Sequence, residues 1–183
     1  MKVAISAGHW PEAAGACYER RCEYGEVMPI LAEVIRHLQR QDIEAHLVGT
    51  GYLTDKIDDI NALSPDCCVE INLNAAAVDA EGCESVYYPK SRKGRKLAQD
   101  IQEYLPEATG NTDRGVKEGW YWSDDERAGK LAFLSDTSCT AVIVEPFFIA
   151  NEPEIMDHDW KLQKIGMAIA RGIKQWSHHL NLG

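Results

Sequence analysis

The feature that most constrains this sequence is the alternation of short apolar runs with amphipathic stretches along almost its whole length. The apolar runs predict strands over residues 3–7, 45–48, 67–73, 84–88 and 140–144. Apolar residues at helical spacing predict helices over residues 26–41, 55–63 and 160–176, and one that Ser91 caps and that reaches Leu105. The helix over residues 55–63 is expected to be capped by Thr54 or Asp55. We expect an α/β fold: a three-layer domain with a mainly parallel twisted β-sheet covered by helices on both faces.

Length and composition fit one globular domain. Residues 1–183 can bury a substantial core, and a hydrophobic share of 45% with a charged share of 26% is ordinary for such a domain. No apolar run approaches the ~20 residues that cross a bilayer, so we expect no membrane insertion. The net charge of −10 argues against a nucleic-acid partner, because such proteins concentrate Lys and Arg on one face. We expect a monomer.

The N-terminal segment and the cysteines indicate the cellular compartment in which the chain is made. The apolar run at residues 3–7 is too short for a secretory signal, so we expect a chain that is cytoplasmic as synthesised and reaches any outside target by another route. The six cysteines include no C-x-x-C pair, and Cys67 and Cys68 lie in an apolar run, where buried thiols are common. We expect all six to be reduced.

Polar residues follow three of the predicted strands, at the edge where parallel strands end. These are His9 after the first strand, Asn72 and Asn74 at the end of the central one, and Glu145 after the last. Functional residues gather at this edge of α/β sheets, and a carboxylate ending an apolar strand is costly to bury unless it is paired or functionally shifted. The pattern suggests a metal-water site with Glu145 as general base. Ordinary polar caps are the alternative.

Several short motifs occur in a characteristic order. Ala7-Gly8-His9 is followed by Gly15-Ala16 and then by Glu23, with thirteen residues between His9 and Glu23. The later motifs are INLNA at residues 71–75, GCE at 82–84 with YY at 87–88, RGVK at 114–117, VIVE at 142–145 with FIAN at 148–151, and Ile169 with GI at 172–173. This ordered set resembles the zinc-dependent N-acetylmuramoyl-L-alanine amidases of type 3, which include the catalytic domains of phage and prophage lysins.

The resemblance implies a set of site residues. His9 and Glu23 would be zinc ligands, and Glu145 would be the catalytic base. Glu26 is the rival of Glu23, although Glu23 aligns the helix better with the family's apolar positions. Zinc bound by two His and one Glu keeps an open position for water, lowers the pKa of that water to about 7 and polarises the amide carbonyl. The family's second His falls at Asn72, and an amide oxygen is a poor zinc ligand beside imidazole.

Further residues are candidates around this site. Asn74, Arg114 and Trp10 are expected to contact substrate, and Trp120 would stack on a sugar or pack within a loop. Glu70 replaces a small residue of the family on the same strand face as Asn72. It is expected to serve as a ligand or to pair with Arg114 or another base. His158 is expected at the surface, with a role as substitute ligand as the alternative.

The resemblance implies a function with one open alternative. The chain would be a peptidoglycan hydrolase that cleaves the amide bond between N-acetylmuramic acid and L-alanine of the stem peptide with a zinc-activated water, acting on the cell wall after its release. Because Asn72 replaces a ligand, we expect weakened zinc binding at His9 and Glu23. The alternative is a metal-depleted, catalytically impaired homologue that binds muropeptide or cell wall.

Overall fold

A computed structural model describes residues 1–49, 51–76, 79–123 and 126–180, with backbone only at 121–123 and 126–128. The strands are β1 (Lys2–Ala7), β2 (Cys17–Tyr18), β3 (Arg21–Cys22), β4 (Glu44–Leu47), β5 (Cys67–Ile71), β6 (Cys83–Tyr87), β7 (Asp113–Glu118), β8 (Trp120–Ser123), β9 (Glu126–Lys130) and β10 (Thr140–Glu145). The helices are α1 (Glu23–Gln39), α2 (Leu53–Leu63), α3 (Arg92–Gln102), α4 (Leu105–Thr109), α5 (Ala132–Asp136) and α6 (Asp159–Leu180), with a 3-10 turn at Pro153–Ile155.

Six strands form the central sheet in the order β4-β1-β5-β10-β6-β7. The first four are parallel to one another, whereas β6 and β7 run antiparallel to β10. Strands β5 and β10 lie in the middle and are mostly apolar and buried on both faces, as expected for strands that helices cover on both sides. The predicted mainly parallel sheet is confirmed.

Helices cover both faces of the sheet, which confirms the three-layer arrangement. Helices α1, α3 and α6 pack together on one face, where alternate residues of β1, β5 and β10 form the larger core. Helices α2 and α5 lie on the opposite face, where α5 contacts both β10 and α2. They cover a smaller core that includes Ala4, Cys68 and Ile143. In the described part of the chain, no helix has both the length and the apolar character to span a bilayer.

Several predicted helix ends are wrong. Helix α1 begins at Glu23, three residues before the predicted start, and α6 extends beyond residue 176 to Leu180. The Ser91 cap is confirmed, since its hydroxyl accepts from the Gly94 N–H at 3.0 Å, but α3 ends at Gln102. A separate helix, α4, then begins at Leu105 with Pro106 in its first turn, where a missing N–H is tolerated.

Two other local expectations are also wrong. Helix α2 has Tyr52 at its N-cap and no side-chain cap, so neither Thr54 nor Asp55 caps it. Cys17 and Cys22 form a disulfide, contrary to the expectation of six reduced thiols. They face each other across the hairpin of β2 and β3, which directly precedes Glu23. The hairpin register, set by residues between them, brings the two thiols together.

Candidate active site

One edge of the sheet carries the polar residues that the sequence singled out. The carboxyl ends of β1, β5 and β10 meet there because these strands are parallel and adjacent. Strand β6 runs in the opposite direction, so its first residues lie at the same edge, and Glu84 pairs with Glu145 in the strand register. Glu84 was not predicted as a site residue, because the direction in which a strand runs is not encoded in local apolar spacing.

His9 and Glu23 contact each other at this edge. The distance between His9 Nε2 and Glu23 Oε2 is 3.3 Å. The Glu23 carboxylate is buried; its Oε1 accepts from the Leu73 N–H at 2.8 Å and its Oε2 from the Ala16 N–H at 3.4 Å. Burial raises the pKa of Glu23, and the Leu73 hydrogen bond and the nearby His9 partly oppose this shift. The two backbone N–H groups therefore hold this carboxylate in a fixed position.

Gly15 permits this close arrangement. Its φ is +80°, a conformation that favours glycine, and a Cβ at this position would lie 2.5 Å from Glu23 Oε2 and 2.6 Å from His9 Cδ2. Any other residue would therefore displace the imidazole or the carboxylate.

The carboxyl group of Glu145, the predicted base, lies at the same edge of the sheet. Its Oε2 accepts a hydrogen bond from Asn74 Nδ2 at 2.7 Å. Burial raises the pKa of Glu145 to about 7, and the neighbouring carboxyls of Glu84 and Glu23 add to the shift, while Lys117 opposes it. A carboxyl group poised near neutral pH suits proton transfer.

Glu84 stays charged beside Glu145. Burial by itself would raise the pKa of Glu84, but hydrogen bonds from Lys117, at 2.6 Å, and from Arg114 outweigh it and lower the pKa. The Arg114 guanidinium also stacks over the Phe148 ring at 5.0 Å. Two carboxyls with opposite pKa shifts thus stand side by side, so a proton bound to the pair lies on Glu145 rather than on Glu84.

Glu70 forms an ion pair with Lys56. This confirms one of its two expected roles, pairing with a base. Lys56 Nζ donates to Glu70 Oε2 at 2.7 Å and to the Ala7 and Gly8 carbonyls at 2.6 and 3.3 Å. The other oxygen of Glu70 accepts from Asn72 Nδ2 at 3.2 Å. Lys56 was not predicted as a site residue, and its only signal in the sequence is that it immediately precedes Ile57, which is buried, in α2.

The donor set matches a zinc site only in part. Two ligands of tetrahedral zinc at about 2.0–2.1 Å are roughly 3.3 Å apart, which is the separation of His9 Nε2 and Glu23 Oε2. At the third position, the amide nitrogen of Asn72 is held by Glu70. Among the described residues, no group of three His, Cys, Asp or Glu side chains could hold a metal ion. The residues present therefore supply two of the three ligands of a two-His, one-Glu zinc site, His9 and Glu23.

A pocket of about 740 Å³ unites most of the predicted site residues. Its described lining includes the predicted residues His9, Trp10, Glu23, Asn72, Asn74 and Glu145. A volume of this size accommodates a small-molecule or peptide ligand.

Other candidates lie outside that lining. Arg114 binds Glu84, and the Trp120 indole N–H donates to Glu118 at 3.1 Å. His158 is exposed and stacks with Trp160, and Glu26 is likewise not part of the lining. Substrate contacts by Arg114 and Trp120 therefore stay predictions.

Comparison with known proteins identifies the family. The family model of the N-acetylmuramoyl-L-alanine amidases, Amidase_3, matches residues 3–175. The chain belongs to this family, and the resemblance drawn from its motifs is confirmed.

Individual relatives are distant. The chain is 26% identical over 183 residues to the uncharacterized protein YqiI of Bacillus subtilis, covering 95% of this chain and 84% of that protein. It is 27% identical over 180 residues to the endolysin of Bacillus phage SPP1, covering 94% of this chain and 65% of the endolysin. The crystal structure of an N-acetylmuramoyl-L-alanine amidase from Clostridium difficile 630 superposes with a TM-score of 0.85 at 24% identity, over 97% of this chain and 96% of that one. At this identity the structural likeness concerns the fold.

Proposed function

We propose that this chain is a peptidoglycan hydrolase that cleaves the amide bond between N-acetylmuramic acid and L-alanine of the stem peptide. The observation that carries the proposal is Glu145, a pocket carboxyl with a pKa raised to about 7, in the chain of an amidase family. As its carboxylate, Glu145 takes a proton from the attacking water and then delivers it to the leaving amine of L-alanine. Asn74 keeps one carboxyl oxygen in place during both transfers.

The metal requirement is the finer part of the proposal. The family's zinc, when bound, would polarise the scissile carbonyl and acidify a water. We propose that His9 and Glu23 bind such a cation with reduced affinity, which their 3.3 Å separation supports. Asn72 supplies at most a weak oxygen ligand.

A second function is favoured by the same Asn72. With one imidazole and one carboxylate, the site could lose its metal and keep its pocket, leaving a module that binds muropeptide without cleaving it. The formed pocket and the fixed Glu23 support binding independently of catalysis. Metal content together with turnover separates the two functions.

The test measures zinc and cleavage on one preparation. Protein purified without chelator is analysed for bound zinc by mass spectrometry and assayed on a cell-wall suspension and on a purified muropeptide. We expect substoichiometric zinc and cleavage that releases free L-alanine amino groups. The binding module would be the better description if the purified protein contains no zinc, does not cleave even when zinc is added, and still binds muropeptide.

A substitution assigns the base. Glu145→Gln keeps the shape and the Asn74 contact but cannot accept the proton, so we expect turnover to fall by about 10²–10⁴-fold with zinc binding nearly unchanged. Glu154→Gln, at an exposed position in the 3-10 turn, is the matched control and should cleave as the wild type does. Retained turnover in Glu145→Gln would remove Glu145 as the base.

We also propose that the chain works outside the reducing cytosol. The disulfide between Cys17 and Cys22 supports this, because disulfides persist in oxidising surroundings. In protein recovered from the cell-wall fraction, both cysteines should resist alkylation until a reductant is added. Immediate alkylation of both would argue for action in the cytosol.

A further inference from the structure

An aromatic rim borders the pocket beside β1 and α2. It consists of Trp10, Tyr52 and Leu53, of which Trp10 and Leu53 line the pocket itself. The ring centroids of Trp10 and Tyr52 are 5.4 Å apart with an interplanar angle of 58°, so the two rings form a corner. Tyr52 is 69% exposed and Leu53 39%. The corner is therefore open to a ligand.

Backbone contacts of the chain itself hold the rim in place. The backbone of Trp10 exchanges two hydrogen bonds with Ala13, at 2.9 and 3.3 Å, which fixes the start of the loop after β1. Tyr52 is held at the N-cap of α2 and uses no side-chain oxygen to cap that helix. The Tyr52 residue as a whole is largely exposed, and clustered exposed apolar groups of this kind mark binding surfaces.

We propose that this rim is a subsite for the glycan of peptidoglycan, an assignment that rests on the proposed function. The glycan is covalently joined to the scissile amide, so it must leave the pocket across one of its borders. The C–H face of a pyranose ring packs on an aromatic face, and a phenol hydroxyl can exchange hydrogen bonds with sugar hydroxyls. Trp10 and Tyr52 provide both kinds of contact.

Charge argues against the stem peptide as the occupant of this rim. Helix α2 starts at the rim and presents exposed Asp55, Asp58 and Asp59, which would repel the free carboxylates of a stem peptide. The basic residues Arg114 and Lys117 lie on β7, four strand spacings from β1, or roughly 19 Å away, and both are bound to Glu84. A neutral sugar therefore suits the aromatic rim better than an anionic peptide does.

The experiment measures binding of the two halves of the substrate separately. Calorimetric titrations use the disaccharide of N-acetylglucosamine and N-acetylmuramic acid without peptide, its lactyl carboxyl converted to the methylamide so that it is neutral as in the substrate, and the stem peptide without glycan. Tyr52→Ala should weaken disaccharide binding by roughly three- to tenfold and leave peptide binding unchanged, whereas Tyr52→Phe should keep most of the affinity. Trp160→Ala removes another exposed aromatic ring, far along the chain on α6, and should change neither.

The outcomes separate this inference from the proposed function. Wild-type protein that does not bind the disaccharide, or Tyr52→Ala protein that binds it as well as wild type, would overturn the subsite. An equal loss of peptide and disaccharide affinity in Tyr52→Ala would also overturn it. Absence of cleavage bears on the hydrolase alone, because disaccharide binding is measured without turnover.

Discussion

The buried ion pair of Lys56 and Glu70 offers a test of how the strand edge is held together. The side chains are only 2% and 7% exposed, and Nζ lies 2.7 Å from Oε2. Glu70→Gln preserves the size of the side chain and removes its charge. The ammonium of Lys56 then stays buried with the carbonyls of Ala7 and Gly8 as its partners.

The magnitude follows from what the variant leaves behind. Removing one member of a buried pair costs about 3–5 kcal/mol, because the remaining charge is desolvated without compensation. Two carbonyls still accept hydrogen bonds from Lys56, so we expect a loss near the lower limit, about 3 kcal/mol of unfolding free energy. For a domain of this length, that corresponds to a fall in Tm of roughly 6–12 °C.

Chemical and thermal denaturation at pH 7 measure this loss. The double variant Lys56→Met/Glu70→Leu should lose less than Glu70→Gln, because it removes both charges together. The matched control is Glu44→Gln, which breaks the exposed pair with His46 and should leave Tm unchanged. A Glu70→Gln loss below about 1 kcal/mol would refute the reasoning, since it would mean that solvent reaches Lys56.

Three further predictions concern the site and its support. Asn72→His should raise zinc affinity by at least tenfold in a competition titration, because imidazole is the better zinc ligand; an unchanged affinity would mean that residue 72 does not face the ligand position. Cleavage should fall about tenfold per pH unit below pH 7 and level off above it, because only the carboxylate of Glu145, whose pKa is raised to about 7, accepts a proton; a flat rate profile from pH 5 to 8 would contradict this. Cys17→Ser/Cys22→Ser should lower the unfolding free energy by about 2 kcal/mol in urea denaturation, as expected for a short closed loop; equal stability of variant and wild type would show that the bond adds nothing to the fold.

The sequence predicted the elements whose patterns are local. The five strands of the predicted sheet occur, with shifts of at most two residues at their ends, because a short apolar run between turns is a property of the run itself. The Ser91 cap was predictable for the same reason, since a cap contacts residues within its own first turn. The predicted helix end at Leu105 had no such local contact to support it, and it was wrong, because α3 ends at Gln102.

By itself, the sequence determined the fold class, the family, and the placement of His9, Glu23 and Glu145 around one pocket, because motif order and strand-end positions carry that information along the chain. The tertiary structure alone decided which partners these residues have. The reversed direction of β6, which sets Glu84 beside Glu145, and the pairing of Lys56 with Glu70 join residues far apart in sequence. No local pattern encodes such contacts, because the favourable energy of a buried charge depends on which opposite charge the folded chain places within reach.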